Sequence, residues 1–169
     1  TGPRFYLSGF APPSADVLVI EATSGDPGYV FPAHETVAGD IQDWLTDTDD
    51  PVVLFGYALG RAQKLQLLAA KTRERVFTTD AVLRVNKPIA AHRDVAFDVE
   101  RYDDAVTLGM GDALVLPMTT ARIDWIDSLV DAAGALKTGF SGWAVDRSFK
   151  FRGDYDVTFP LSDHCDFQE

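Results

Sequence analysis

Cysteine is nearly absent from this chain. Cys165 stands alone, so no internal disulfide can form, and a reducing, cytoplasmic setting is the expectation. No apolar run approaches the length needed to span a bilayer. The first residues lack a basic segment followed by an apolar one, so no secretory leader is read. Asparagine occurs once, as Asn86. Among the acids, 21 Asp stand against 5 Glu, and among the bases 5 Lys stand against 10 Arg, for a net charge of −11. An Asp-rich, Lys-poor surface suits a protein that must stay dissolved in concentrated salt, where screening removes most of the self-repulsion. A halophilic source is therefore expected, and net charge then says little about whether one groove binds nucleic acid. The chain also lacks a Gly-x-Ser-x-Gly elbow, because Gly142 directly follows Ser141, and this argues against serine hydrolysis. Gly109-Met110-Gly111 precedes a strand, not a helix, and is a poor dinucleotide fingerprint. There is no dense His-x-His-x-Asp-His cluster, so this chain alone encodes no convincing metal site.

What is present is a regular alternation. Apolar runs at 15–20, 52–57, 75–78, 113–117 and 135–143 are predicted as strands, with weaker strand signals near 95–99 and 106–107 and one or two more strands within 150–159. Helical spacing of Val37, Ile41, Trp44 and Leu45 predicts a helix over 33–47, and further helices are predicted over 60–71, 80–91 and 123–133. Strands alternating with helices over 169 residues predict an α/β fold with a mostly parallel sheet and helices on both faces. In such sheets function collects where strands end in loops at the carboxyl edge. Glu21, Tyr57, Met118, Ser141 and His164 all follow predicted strands.

The richest stretch is Phe159-Pro160-Leu161-Ser162-Asp163-His164-Cys165-Asp166-Phe167. A histidine between two carboxylates at a strand end can carry a proton, since its charge changes near neutral pH and the acids can fix its tautomer. The alternative is that Ser162 or Asp163 caps a helix and His164 is incidental. Glu21 directly follows apolar residues; it is either an exposed strand-end acid or the partner that orients His164 and raises its pKa. In Tyr57-Ala58-Leu59-Gly60-Arg61-Ala62-Gln63, Arg61 and Gln63 either contact phosphate or carboxylate groups at a helix start or tie the helix to the next loop. Ser141 lies among small residues at a strand end, where a substrate backbone could come close. Arg147, Lys150 and Arg152 form the densest basic stretch, either a nucleic-acid side or a solvated hairpin. His34 and His92 lie on predicted helices and are read as surface or packing residues.

Four stretches taken together carry a likeness. Val17-Leu18-Val19-Ile20-Glu21-Ala22-Thr23-Ser24-Gly25, Tyr57-Ala58-Leu59-Gly60-Arg61-Ala62-Gln63, Phe140-Ser141-Gly142-Trp143 and Pro160-Leu161-Ser162-Asp163-His164-Cys165-Asp166-Phe167 occur in the order seen in β-CASP metallo-β-lactamase nucleases, which the chain resembles over nearly its whole length. That group includes RNA 3′-end processing endonucleases, Artemis-like DNA nucleases and the exonucleases associated with bacterial DNA ligases; archaeal mRNA 3′-end processing factors are the nearest likeness. The resemblance implies that residues 31–143 are an inserted Rossmann-like cap, with 1–30 and 144–169 as edges of a metallo-β-lactamase half. It implies that Glu21 and His164 are the catalytic proton-donating pair, and it places Arg61, Ser141, Ser162 and Asp163 at the substrate. It further implies two zinc ions, held mostly by residues this chain lacks: Thr1-Gly2 is followed by Pro3 where the family has a ligand Asp. The expected partners are RNA or single-stranded DNA, the missing half, and a second copy through exposed apolar surface. The function so implied is phosphodiester hydrolysis by a zinc-dependent nuclease. The alternatives are a relative that binds nucleic acid or a processing partner without chemistry, and a nucleotide-binding Rossmann-like domain.

Overall fold

A computed structural model describes residues 14–17, 19, 23–28, 30–146 and 148–164, leaving aside the side chain of Arg152. Six strands form one sheet: β1 (Val52–Gly56), β2 (Arg75–Thr78), β3 (Glu100–Arg101), β4 (Asp112–Pro117), β5 (Leu136–Phe140) and β6 (Val157–Phe159). Their order is β3-β2-β4-β1-β5-β6, and every neighbouring pair is parallel. The α/β expectation holds. The helices are α1 (His34–Asp47), α2 (Arg61–Ala69), α3 (Asp80–His92), α4 (Asp124–Ala133) and a short α5 (Phe149–Arg152). None among the described residues is long and apolar enough to cross a membrane.

Strand residues alternate between two faces, so β1 and β4 feed two separate cores. Val52, Leu54, Ala113 and Val115 pack with Ile41 and Leu45 of α1, Leu65 of α2 and Val82 of α3. Val53, Phe55, Leu114 and Leu116 pack on the opposite side with Ile126 of α4, Leu108 and Tyr155. The two faces correspond to two directions of travel. From β1 the chain moves through α2 and α3 toward β3; from β3 it returns, by the loop holding Leu108 and by α4, toward β6. Crossovers of a single hand require this division of faces. The loops after β1 and β5, adjacent strands, therefore leave in opposite directions and open a crevice at the carboxyl edge.

The amino edge is closed by a buried polar cluster. The Arg73 guanidinium, 8% exposed, donates to the carbonyls of Leu45, Thr48, Asp50 and Asp112. Asp112 is buried and takes a two-pronged bond from Arg75 at 2.9 and 2.6 Å. At the β6 side, Phe159 stacks on Phe140 with centroids 5.7 Å apart and meets Trp44 of α1 at 5.6 Å.

Several local expectations are corrected. Of the one or two strands expected within 150–159, one forms, β6 (Val157–Phe159), while Phe149–Arg152 makes a short helix. Phe149 packs on Tyr155 at 5.7 Å while Phe151 is 83% exposed, so the two rings face different ways, as a helical turn and not a strand places residues two apart. Near residue 100 only two residues pair with β2; Val106 and Leu108 pack sideways into a core instead. The strand expected at 135–143 stops at Phe140 and passes into a 3-10 turn, Gly142–Val145. Within 15–20, Asp16 and Val17 form a bend, and Val17 and Val19 are 78% and 89% exposed; the rest of that run lies outside the described residues.

Candidate functional site

Four segments meet at the crevice beyond the carboxyl ends of β1 and β5: the first turn of α1, the 57–64 loop and helix start, the turn after β5, and residues 161–164 after β6. Each is held by specific contacts. Gly60 adopts a φ of 95°, a conformation that favours glycine, and so turns the chain sharply from β1 into α2. Its N–H donates to Gln63 Oε1 at 2.7 Å, half of a capping box with no side-chain partner in return. The Gln63 amide also donates to the Ala58 carbonyl and to Asn86 Oδ1, and Asn86 donates to Gln66. Gln63 and Gln66 are fully buried and Asn86 nearly so. The chain's one asparagine thus fixes the loop that carries Tyr57.

Arg61 is 3% exposed. Its Nη1 donates to the Phe140 carbonyl at 2.7 Å, its Nη2 pairs with Asp163 at 3.1 Å, and its guanidinium carbon lies 5.2 Å from the Tyr57 ring centre. One side chain therefore joins β5, the 161–164 segment and the β1 loop. Of the two roles considered for Arg61 and Gln63, tying the helix to its neighbours is the one these contacts serve. The Ser141 hydroxyl accepts from the Trp143 N–H at 3.2 Å and the Ser162 hydroxyl from the His164 N–H at 3.0 Å, each closing a tight turn. At Gly142 a Cβ would stand 2.7 Å from Phe31 and 3.1 Å from Ser162 Oγ, so the turn after β5 sits hard against the 161–164 segment. His164 is exposed at the end of this assembly. Glu21, its expected partner, lies outside the described residues, as do Cys165 and Asp166.

The structure adds two residues that sequence spacing does not reveal. His34, at the start of α1, directs Nε2 at the Ser162 carbonyl at 3.0 Å, and its Nδ1 faces the Lys64 ammonium. A carbonyl only accepts, so Nε2 carries the proton and Nδ1 is left to accept from Lys64. Thirty residues separate His34 and Lys64 on two helices, and neither shows a motif. By contrast His92 is exposed on α3 and bonds the Pro88 carbonyl.

Burial lowers the Lys64 pKa from the ordinary 10.5; the charges of Asp163 and Glu35 oppose this, and Arg61 adds to it. The folded chain then releases this proton at lower pH than the unfolded chain does. Between the lowered value and 10.5 the unfolded state binds more protons, so stability rises with pH across that window. Lys64→Met is expected to flatten that rise, which urea unfolding at a series of pH values above neutrality would measure. Identical slopes in parent and variant would show that Lys64 is fully hydrated.

A separate groove of about 370 Å³ runs along α3, lined by residues including Leu83, Arg84, Lys87 and Phe97. It gathers no comparable convergence of elements. Among the described residues no group of three or more His, Cys, Asp or Glu side chains could hold a metal ion, so these residues do not fit a zinc pair.

No protein-family model matches the chain. Over 162 residues, 94% of its length, it is 32% identical to a protein of Opitutus terrae named "Probable DNA ligase". The chain spans 15% of that protein's length. This match corrects the function drawn from the β-CASP likeness. The relative is named for joining DNA and not for zinc-dependent hydrolysis, and the hydrolase, nuclease, metallo-β-lactamase and zinc assignments are withdrawn with it.

Proposed function

We propose that this chain is a DNA-contacting α/β domain of a DNA-joining enzyme. The observation that carries the reading is the match along 94% of the chain to a protein named as a probable DNA ligase. The crevice at the switch of loop directions supports it, because such crevices are where open α/β sheets hold ligands. Lys64, between His34 and Asp163, supplies cationic donors beside it. The order of the four motifs supports a β-CASP-like placement of this domain within the larger polypeptide, and the bond-joining chemistry is assigned to the remainder.

The test uses the whole polypeptide that carries this chain, with a nicked, 5′-phosphorylated duplex as substrate. It is expected to seal the nick. Lys64→Gln is expected to weaken binding to DNA of every sequence by a similar factor and to lower the salt slope by about one, as the loss of one phosphate contact does. A polypeptide that neither binds nor seals DNA would overturn the reading.

A further inference from the structure

The groove along α3 has two walls. One is a stripe of α3 that includes Leu83, Arg84, Lys87 and Ala90; the other holds Phe97 and Val99, which lead directly into β3 at the edge of the sheet. Val95, Phe97 and Val99 are half-buried while Ala96, Asp98 and Glu100 are exposed, the alternation of an extended chain with one face covered. Yet this run forms no strand before Glu100, and the backbone of residues 96–98 makes no hydrogen bond among the described residues. β3 itself has β2 on one side and no described strand on the other.

Backbone and charge together select an occupant. Unused N–H and C=O groups along an extended chain are answered one for one by a second peptide chain, and by neither a nucleic acid nor an alkyl tail. Arg84 and Lys87 are exposed, and neither is ion-paired among the described residues. Asp80, the acid among the lining residues, is already held by Arg101 through two bonds of 2.9 Å. Asp98 and Glu100 alternate with Phe97 and Val99 and so belong to the other face. The groove therefore sets two unanswered positive charges beside an apolar wall. Arg84 and Lys87 are about 5 Å apart along the helix axis. Alternate residues of a strand are about 7 Å apart, a difference that two long side chains absorb. We propose that this groove docks an extended acidic peptide. The peptide adds a strand outside β3 and residues 96–98, seats apolar side chains against Leu83, Ala90 and Phe97, and places two carboxylates, two residues apart, on Arg84 and Lys87. This proposal does not rest on the DNA-contacting reading; it adds a protein partner at a separate site.

The test uses the whole polypeptide that carries this chain and a fluorescein-labelled peptide, Leu-Thr-Asp-Thr-Asp-Thr-Leu, whose leucines and aspartates share one face of a strand. Anisotropy is expected to show saturable binding with a Kd below about 1 mM at about 0.2 M potassium chloride. Arg84→Gln combined with Lys87→Gln should weaken it about fivefold, the worth of two exposed ion pairs, and by much less at about 2 M salt. Ala90→Trp, at an exposed position, fills the groove and should abolish binding. Asparagine in place of the peptide's aspartates should reproduce the loss seen in the double variant. Methylating one alternate set of peptide nitrogens should abolish binding and methylating the other should leave it, because an added strand pairs through one edge. No binding by the parent, full binding of the asparagine peptide, or equal effects of the two methylated sets would overturn the proposal. So would an oligonucleotide that displaces the peptide and itself binds more weakly to the double variant, which would give these cations to phosphate. Both variants should keep the parent's urea midpoint, as surface changes do; a lost midpoint together with lost binding would overturn the assignment of these side chains to the groove. Nick sealing bears on the DNA-contacting reading alone, so either reading can fail without the other.

Discussion

Replacing Arg73 with methionine is expected to destabilise the chain by about 3–5 kcal/mol, the range for removing one member of a buried charged cluster. The guanidinium reaches four carbonyls that belong to the end of α1, the loop into β1 and the first residue of β4. Methionine fills much of the same space and satisfies none of them. Each abandoned carbonyl costs about 1–3 kcal/mol, less whatever water recovers by entering. Burial already works against the charge on Arg73, and Asp112, Asp49, Asp50 and Glu74 offset it. Arg73→Lys keeps the charge but concentrates its donors at one point, so it is expected to restore only a minor part of the loss. Urea unfolding at fixed salt gives both values. A loss under about 1 kcal/mol, the worth of one ordinary hydrogen bond, would show that these carbonyls are already hydrated.

Arg61→Met is the second large effect, and it acts at the opposite edge. About 2–4 kcal/mol is expected, because the change strands the Phe140 carbonyl and leaves Asp163 without its guanidinium partner in a partly dry setting. The more telling consequence is local. Residues 161–164 are held across the crevice by Arg61 and by His34, so loss of Arg61 should speed amide exchange of His164 well beyond the change in global stability. A global loss with no extra exchange at residues 162–164 would mean that His34 and the packing around Ser162 keep that segment in place without Arg61.

The contrast between these two arginines shows what the sequence makes legible. The buried runs of β1 and β4 and the helical spacing of α1 were readable because a doubly covered parallel strand and an amphipathic helix each repeat a local pattern. The parallel α/β class followed from their alternation. Within 150–159 the strand signal is met by Val157–Phe159, while the four residues of Phe149–Arg152 are too few to display a helical repeat. Arg61 and Ser162 could be singled out from their motifs, but not what they touch. The His34–Lys64 contact had no signal at all, since it exists only once α1 and α2 lie side by side on one face. Arg73 is likewise invisible in sequence, being defined by carbonyls of residues 45–50 and of Asp112, which are far from it along the chain. The four motifs pointed to a nuclease, and the named relative redirected that reading to DNA joining.

The pairing of β1 carries a consequence for how the chain reaches this structure. Its central strand lies between partners that both come much later: Val52 is matched to Ala113 on one side and to Leu136 on the other. None of the six strands joins its neighbour through a local hairpin, since all pairings are parallel. Such a topology has high contact order, and loop-closure entropy must be met before the sheet yields any return, so assembly is slow relative to a helical bundle of this size. During that interval the most hydrophobic strand waits uncovered. The 26 acidic residues, spread along the whole chain, keep unfinished copies strongly hydrated over that interval, a kinetic safeguard that does not depend on long-range repulsion.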